Sequence, residues 1–218
     1  MLKAILFDFD GLILDTETPE YHVWQSIYRE YGYELPFQEW EKVIGGYGIS
    51  TFDAAEHLAL LSQGRLDSVS LRARHRLESE AVIAASPILP GVLEVIREAR
   101  QMNLKIAIVS SSNHAWVDGH AKRLGIFHDF DAIICSDEVG IGRTKPHPDL
   151  YLLALRRLHV QANEAIALED SPNGVTAAKR AGLFVVAVPN PLTARLKFEG
   201  ADVILPSLSE LHLRDFIK

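Results

Sequence analysis

Cysteine is almost absent. The single thiol, Cys135, in 218 residues excludes an internal disulfide and fits a reducing compartment. A lone free cysteine is expected to behave as a small buried apolar residue. Positive charge is also scarce: 22 Lys and Arg stand against 29 Asp and Glu, and the net charge of −7 argues against a broad nucleic-acid-binding surface. Long apolar runs are missing, and no stretch approaches the roughly 18 residues that a membrane span needs. The opening run MLKAILFDFD is broken by Asp8, too soon for the apolar centre of a signal peptide. There is no internal repeat and no low-complexity segment. With 48% hydrophobic and 23% charged residues, the expectation is a soluble, cytoplasmic, globular protein of one large domain or two small ones. Nothing in the sequence indicates its oligomeric state.

Short apolar runs are what the sequence does have. KAILFDF (3–9), LKIAIVS (104–110), DAIICS (131–136), EAIALE (164–169), FVVAV (184–188) and the weaker ADVIL (201–205) are each too short for a helix and read as buried parallel strands. Helical patterns separate the later runs. Val92, Val95, Ile96 and Ala99 share one helix face in residues 91–103, and Pro148–Leu158 and Pro172–Ala181 also read as helices. The alternation predicts an α/β fold with a Rossmann-like parallel sheet. Residues 18–84 differ, carrying helix signals and no convincing strand. Thr18 is placed to cap a helix with Pro19 at its first position and Gly32 at its end, and further helices are expected over about 50–62 and 68–84. That block is far longer than a βα connection needs. The expected division is an α/β core of residues 1–15 and 86–218 with an inserted α-helical cap subdomain, 16–85. Two crossings make a hinge possible.

The unusual polar residues all fall at strand ends, where open α/β sheets bind ligands. The first strand ends in Asp8, Asp10 and Gly11, the second in Ser110, Ser111, Ser112 and Asn113, and the fourth in Glu169, Asp170 and Ser171. Alternate strand residues point the same way, so Asp8 and Asp10 can face one site. With Glu169 and Asp170 they offer four carboxylates and neither Cys nor His, a donor set that suits Mg²⁺. Ser110 and Ser111 lie before a helix expected to begin near Asn113, which makes an anion site, and Lys145 adds a point charge suited to phosphate. Asp8 can then attack phosphorus, while Asp10 protonates the leaving oxygen and later deprotonates water. Asp15 is expected to hinge or cap, the cationic RARHR at 72–76 to form a solvated helix face, and His114 to lie at the surface.

The stretches DFDGLILDTE, VSSS, KPHPDLY and LEDSPNG, in that order, resemble the four motifs of the haloacid dehalogenase superfamily. The helical insert after the first motif resembles that of its β-phosphoglucomutase-like phosphatase branch. The resemblance implies Asp8 as nucleophile, Asp10 as general acid/base, and Ser110 and Lys145 as phosphoryl ligands. It implies Mg²⁺ held by Asp8, the backbone carbonyl of Asp10, and Asp170, with Glu169 binding directly or through water. It further implies a central first strand, a mobile cap and a small phosphorylated metabolite as substrate.

The same branch contains sugar-phosphate mutases. In β-phosphoglucomutases a histidine on the first cap helix pairs with the acid/base, and a cap arginine grips the distal phosphate. Here the ungapped counterpart of that histidine is Glu20, and the loop GGYGISTF (45–52) has neither Arg nor Lys. Both departures favour hydrolysis of a small phosphomonoester, with sugar phosphates among the candidates, over the mutase alternative. Dehalogenation needs neither Mg²⁺ nor the second aspartate, and the only cap lysine for phosphonatase chemistry is Lys42. A non-enzymatic phospho-acceptor switch would need neither Asp10 nor a lid.

Overall fold

The computed structural model describes residues 1–43 and 52–216. Its strands are β1 (Ala4–Phe7), β2 (Lys105–Val109), β3 (Ala132–Ile134), β4 (Ala165–Glu169), β5 (Phe184–Ala187) and β6 (Val203–Ile204). They form one parallel sheet in the order β3-β2-β1-β4-β5-β6, so the α/β, Rossmann-like reading holds, with β1 inside the sheet. Its helices are α1 (Glu17–Glu30), α2 (Phe37–Trp40), α3 (Ala54–Leu61), α4 (Ser68–Ala85), α5 (Val92–Gln101), α6 (His114–Arg123), α7 (Asp149–Leu158) and α8 (Pro172–Arg180).

Both sheet faces are covered, which is why the strands are apolar throughout. Ile5, Phe7, Ile106, Ile108, Ile166 and Leu168 share a core with α5 and α6. The alternate residues Ala4, Leu6, Ala107, Val109, Ala165 and Ala167 share another with α7 and α8, where the alanines leave room for close helix approach. The chain runs outward from β1 through β2 and β3, then returns to the far side of β1 to make β4. The strand order therefore switches between β1 and β4, the place where such sheets open a binding crevice. Register completes the placement: Phe7 is level with both Ile108 and Leu168, so Asp8 emerges between the ends of β2 and β4.

Helices α1 to α4 lie between β1 and β2 in sequence and bury a separate cluster that includes Tyr21, Trp24, Ile27, Tyr28, Trp40, Leu58 and Leu71. Helix α1 starts earlier than Thr18. The Thr18 N–H donates to Asp15 Oδ1 at 3.0 Å, so Asp15 caps, while Pro19 falls at the third helical position, where its missing N–H is still one of the unpaired donors. Gly32 ends the helix at a φ of +79°, as expected. Helix α3 begins only at Ala54, with the Asp53 side chain accepting from Glu56 N–H at 2.9 Å; the expected start at 50 and all of GGYGISTF except Phe52 lie outside the described residues. Arg72, Arg74 and Arg76 pair outward with Glu56, Glu30 and Glu80, each at 2.7 Å, a solvated ionic face as read from RARHR. His75 alone turns inward, its ring stacked 4.3 Å from that of Trp24.

The two chain crossings touch. Leu14 and Ile88 form an antiparallel bridge, and Leu89 N–H donates to Ile13 O at 2.9 Å. Among the described residues no helix is long and apolar enough to cross a membrane.

Gly91, which opens α5, has a φ of +86°, and a Cβ there would stand 2.1 Å from Ser209 N and 2.3 Å from Leu208 C. Those are backbone atoms of the C-terminal segment and have little room to yield. Gly91→Ala is expected to destabilise the fold by about 2–4 kcal/mol in urea unfolding, from strained backbone plus overpacking.

Candidate active site

Asp8, Glu169 and Asp170 converge where β1 and β4 end. One oxygen from each lies within 4.8 Å of the others, and all three residues are buried. The one cation among them is Lys145, equally buried, which bonds Asp8 and stands 2.6 Å from Glu169 Oε1. Tyr151, fully buried on α7, donates its hydroxyl to the same Glu169 oxygen, and its ring lies 5.4 Å beneath the Lys145 ammonium. Glu169 Oε2 has no partner. Close packing produces this arrangement: a Cβ on Gly174 would sit 1.7 Å from Glu169 Oε2, and one on Gly11 would sit 2.0 Å from Asp170 Oδ2. Gly11 also has a φ of +85°, so only glycine fits there without strain. Helix α8 starts as read from sequence, with Ser171 accepting from Gly174 N–H at 3.2 Å and Pro172 at the first position.

Three carboxylates against one ammonium leave buried negative charge. Burial pushes Asp8 up to about 7; Lys145 opposes this, while Glu169 and Asp10 reinforce it. Burial also carries Asp170 well above the usual carboxylate range, with Glu17, Asp8 and Glu169 adding to the rise. For Lys145, burial works against the charged form, but Asp8 and Glu169 outweigh it and raise its pKa. Buried all-oxygen donors, excess negative charge and an unpartnered Glu169 oxygen together fit a hard divalent cation. The cluster can hold a metal.

Asp10 does not join that cluster through its side chain. Of the four carboxylates expected at the strand ends, three converge, because the Asp10 carboxylate is taken up by the β2–α6 turn. It accepts from Trp116 Nε1 at 2.8 Å, Ser112 Oγ at 2.8 Å and Ser110 Oγ at 3.1 Å. Helix α6 begins beside it, with Asn113 accepting from Trp116 N–H at 3.0 Å. Ser111, the other expected phosphate ligand, has a buried hydroxyl with no partner.

From α1, Glu17 and Glu20 face these groups. Burial lifts Glu17 to about 8, with Asn190 opposing and Asp8, Asp10 and Glu20 reinforcing. Burial and then Asp10 lift Glu20 to about 7. Glu20 is thus within electrostatic reach of the acid/base candidate, as its sequence position suggested. Several partners escaped the sequence reading: Ser112, Trp116, Tyr151 and Asn190. Ser112 and Tyr151 stand inside the quoted motifs, so adjacency to Ser110 and Lys145 was an available signal. Trp116 lies in the first turn of α6, and Asn190 follows a strand that carried no motif.

Cys135 is buried, and burial raises its thiol far above the usual range. Its neighbour His114 is only partly exposed, held between Asp118 and Glu138 at 3.1 Å each, rather than simply solvated at the surface. His114, Cys135 and Asp137 also bring one donor atom each within 4.8 Å of one another, but both His114 ring nitrogens are engaged by Asp118 and Glu138.

Residues 2–182 match the family described as haloacid dehalogenase-like hydrolase. "Putative phosphatase YhcW" of Bacillus subtilis is 44% identical over 217 residues, 98% of this chain and 95% of that protein. The β-phosphoglucomutase of Bacillus subtilis is 30% identical, over 97% of this chain and 92% of that protein. Among solved structures, a mutant of CbbY from Rhodobacter sphaeroides in complex with xylulose 1,5-bisphosphate superposes with a TM-score of 0.71 at 29% identity, covering 97% of this chain and 96% of that one. With strand ends, insert and acidic crevice all in place, the chain belongs to the haloacid dehalogenase-like hydrolase family, as a phosphoric monoester hydrolase.

Proposed function

We propose that this chain is a Mg²⁺-dependent phosphatase that hydrolyses a small phosphomonoester, a sugar phosphate in class, through an aspartyl-phosphate on Asp8. The observation that carries the proposal is the separation of the two aspartates. Asp8 sits in the buried acidic cluster against Lys145, whereas Asp10 is held among three hydrogen-bond donors a strand away. That separation supports reading Asp8 as the nucleophile and Asp10 as the proton carrier.

In the first step an Asp8 oxygen bonds to phosphorus as the ester P–O bond breaks, and Asp10 gives its proton to the departing oxygen. In the second step Asp10 takes a proton from water, whose oxygen displaces Asp8 and releases inorganic phosphate. Lys145 and the Ser110–Ser111 turn hold the phosphoryl oxygens. Asp10 must rotate out of its three-donor cradle to reach the leaving oxygen. Mg²⁺, held by Asp8, the Asp10 carbonyl and Asp170, with Glu169 directly or through water, would neutralise the cluster and stabilise negative charge on the phosphoryl group. Residues 16–85 act as the cap, hinged at the Leu14–Ile88 bridge.

Hydrolysis is preferred to mutase chemistry because a mutase needs a cap cation for a second phosphate. The arginines of α4 are spent on surface carboxylates, and residues 44–51 contain no Arg or Lys. A screen of sugar phosphates and nucleotides with Mg²⁺ or EDTA tests the assignment. Phosphate release that EDTA abolishes supports it; isomerisation of β-glucose 1-phosphate without phosphate release would refute it.

Asp8→Asn is expected to lower turnover on the order of 10³-fold or more while the far-UV circular dichroism stays unchanged. Asp10→Asn is expected to slow turnover by about 10²–10⁴-fold and to allow a phosphoryl adduct on Asp8 to be caught by mass spectrometry. An acid raised on folding, as Asp8 is to about 7, binds more protons in the folded than in the unfolded state between its two pKa values. Its contribution therefore weakens the metal-free protein as pH rises from about 4 through 7. The metal-free Tm is expected to fall by several degrees between pH 5 and pH 8, and Mg²⁺ to suppress most of that fall.

A further inference from the structure

Asn190, in the loop after β5, is buried at 6% exposure, and every polar atom it carries is committed. Its Oδ1 accepts from Leu192 N–H at 2.9 Å and Thr193 N–H at 3.0 Å, and its own N–H donates to Thr193 Oγ1 at 2.9 Å. Two backbone donors on Oδ1 fix which way the amide faces, so Nδ2 has to point the other way. There it donates to Asp170 Oδ2 at 2.8 Å and to Glu17 Oε2 at 3.1 Å. One amide group thus joins a carboxylate of the acidic cluster to a carboxylate on the first turn of α1.

The packing around this contact is tight. A Cβ on Gly11 would stand 2.0 Å from Asp170 Oδ2 and 2.9 Å from Asn190 Nδ2, so the turn after β1 closes over the pair. The same loop reaches the helical insert a second time, because Leu192 is buried in the cluster formed by Tyr21, Trp24 and Tyr28. Polar and apolar contacts from one short loop therefore tie α1 to the strand ends.

We propose that Asn190 is a positioning residue that orients Asp170 toward the metal and couples occupation of that site to the seating of the first turn of α1. It rests on the metal site proposed above. A cation drawing on Asp170 alters the oxygen to which Nδ2 donates, and the other N–H of the same amide holds Glu17. Binding at one end and order at the other are then linked, and the linkage is reciprocal.

Two variants separate the clamp from the loop that carries it. Asn190→Ala removes both donors. Thr193→Val removes the hydroxyl that accepts from Asn190 N–H but leaves Nδ2 in place. In calorimetric titrations, Asn190→Ala is expected to bind Mg²⁺ about tenfold more weakly than wild type. Thr193→Val is expected to lose thermal stability yet bind Mg²⁺ within twofold of wild type. In amide hydrogen exchange, Mg²⁺ is expected to slow residues 20–24 of wild type and to leave them unchanged in Asn190→Ala. Equal Mg²⁺ affinity in Asn190→Ala and wild type would overturn the proposal, as would equal weakening by Thr193→Val. If wild type binds no Mg²⁺, the metal assignment fails by itself. The clamp then stands or falls on the metal-free protein, where Asn190→Ala must exchange faster than Thr193→Val at residues 20–24.

Discussion

One buried ammonium among three buried carboxylates is the constraint around which the structure is arranged. Lys145 bonds Asp8 and Glu169 where water is excluded, and Asp170 stands beside them without a cation of its own. Uncompensated charge in such a place costs several kcal/mol per ion after relaxation. A chain selected for stability alone would not gather these groups at adjacent strand ends. Such tension fits the metal-assisted site proposed above.

Many local features follow from keeping that cluster tight. β1 pairs with β2 on one side and β4 on the other, which sets Asp8 level with Ser110 and Glu169 to within a residue. Gly11 and Gly174 stand where any side chain would strike Asp170 or Glu169. Tyr151 fills the space beneath Lys145 and satisfies one Glu169 oxygen. The Asp10 carboxylate, two residues from Asp8, is turned to the opposite wall and given its own donors. Two carboxylates two residues apart thereby occupy different electrostatic surroundings, which is what the proposed division of labour between them requires.

The sheet and the main site residues were legible because their signals are local. A parallel strand buried on both faces announces itself as an apolar run, and polar residues at its end stand out against it. Asp8, Glu169 and Asp170 were readable in this way, and so was the capped start of α8 at Ser171, whereas Lys145 was readable from the KPHPDLY stretch. Contacts made between distant loops left no such mark. Asn190 is one polar residue among many in a loop, and only the fold brings it to Asp170. Trp116 reads as an ordinary apolar helix residue, yet its indole N–H meets Asp10. The start of α1 was misplaced because Thr18-Pro19 imitates a cap, whereas Asp15 had the reach to accept the Thr18 N–H. The fourth carboxylate was assigned to the cluster because alternation along a strand fixes a side chain's face and not the partner it finds beyond the strand's end.

Asp8 and Asp170, both raised by burial, are the groups from which a bound metal would displace protons. Burial lifts Asp8 to about 7 and Asp170 beyond the usual carboxylate range, so a cation binding near neutral pH is expected to displace protons. Titrating Mg²⁺ into the protein at pH 7 by calorimetry, in two buffers of different ionisation enthalpy, reads that displacement directly. Saturable binding with net proton release is expected, the apparent enthalpy shifting with the buffer. Binding with the same enthalpy in both buffers, or no saturable binding, would contradict it.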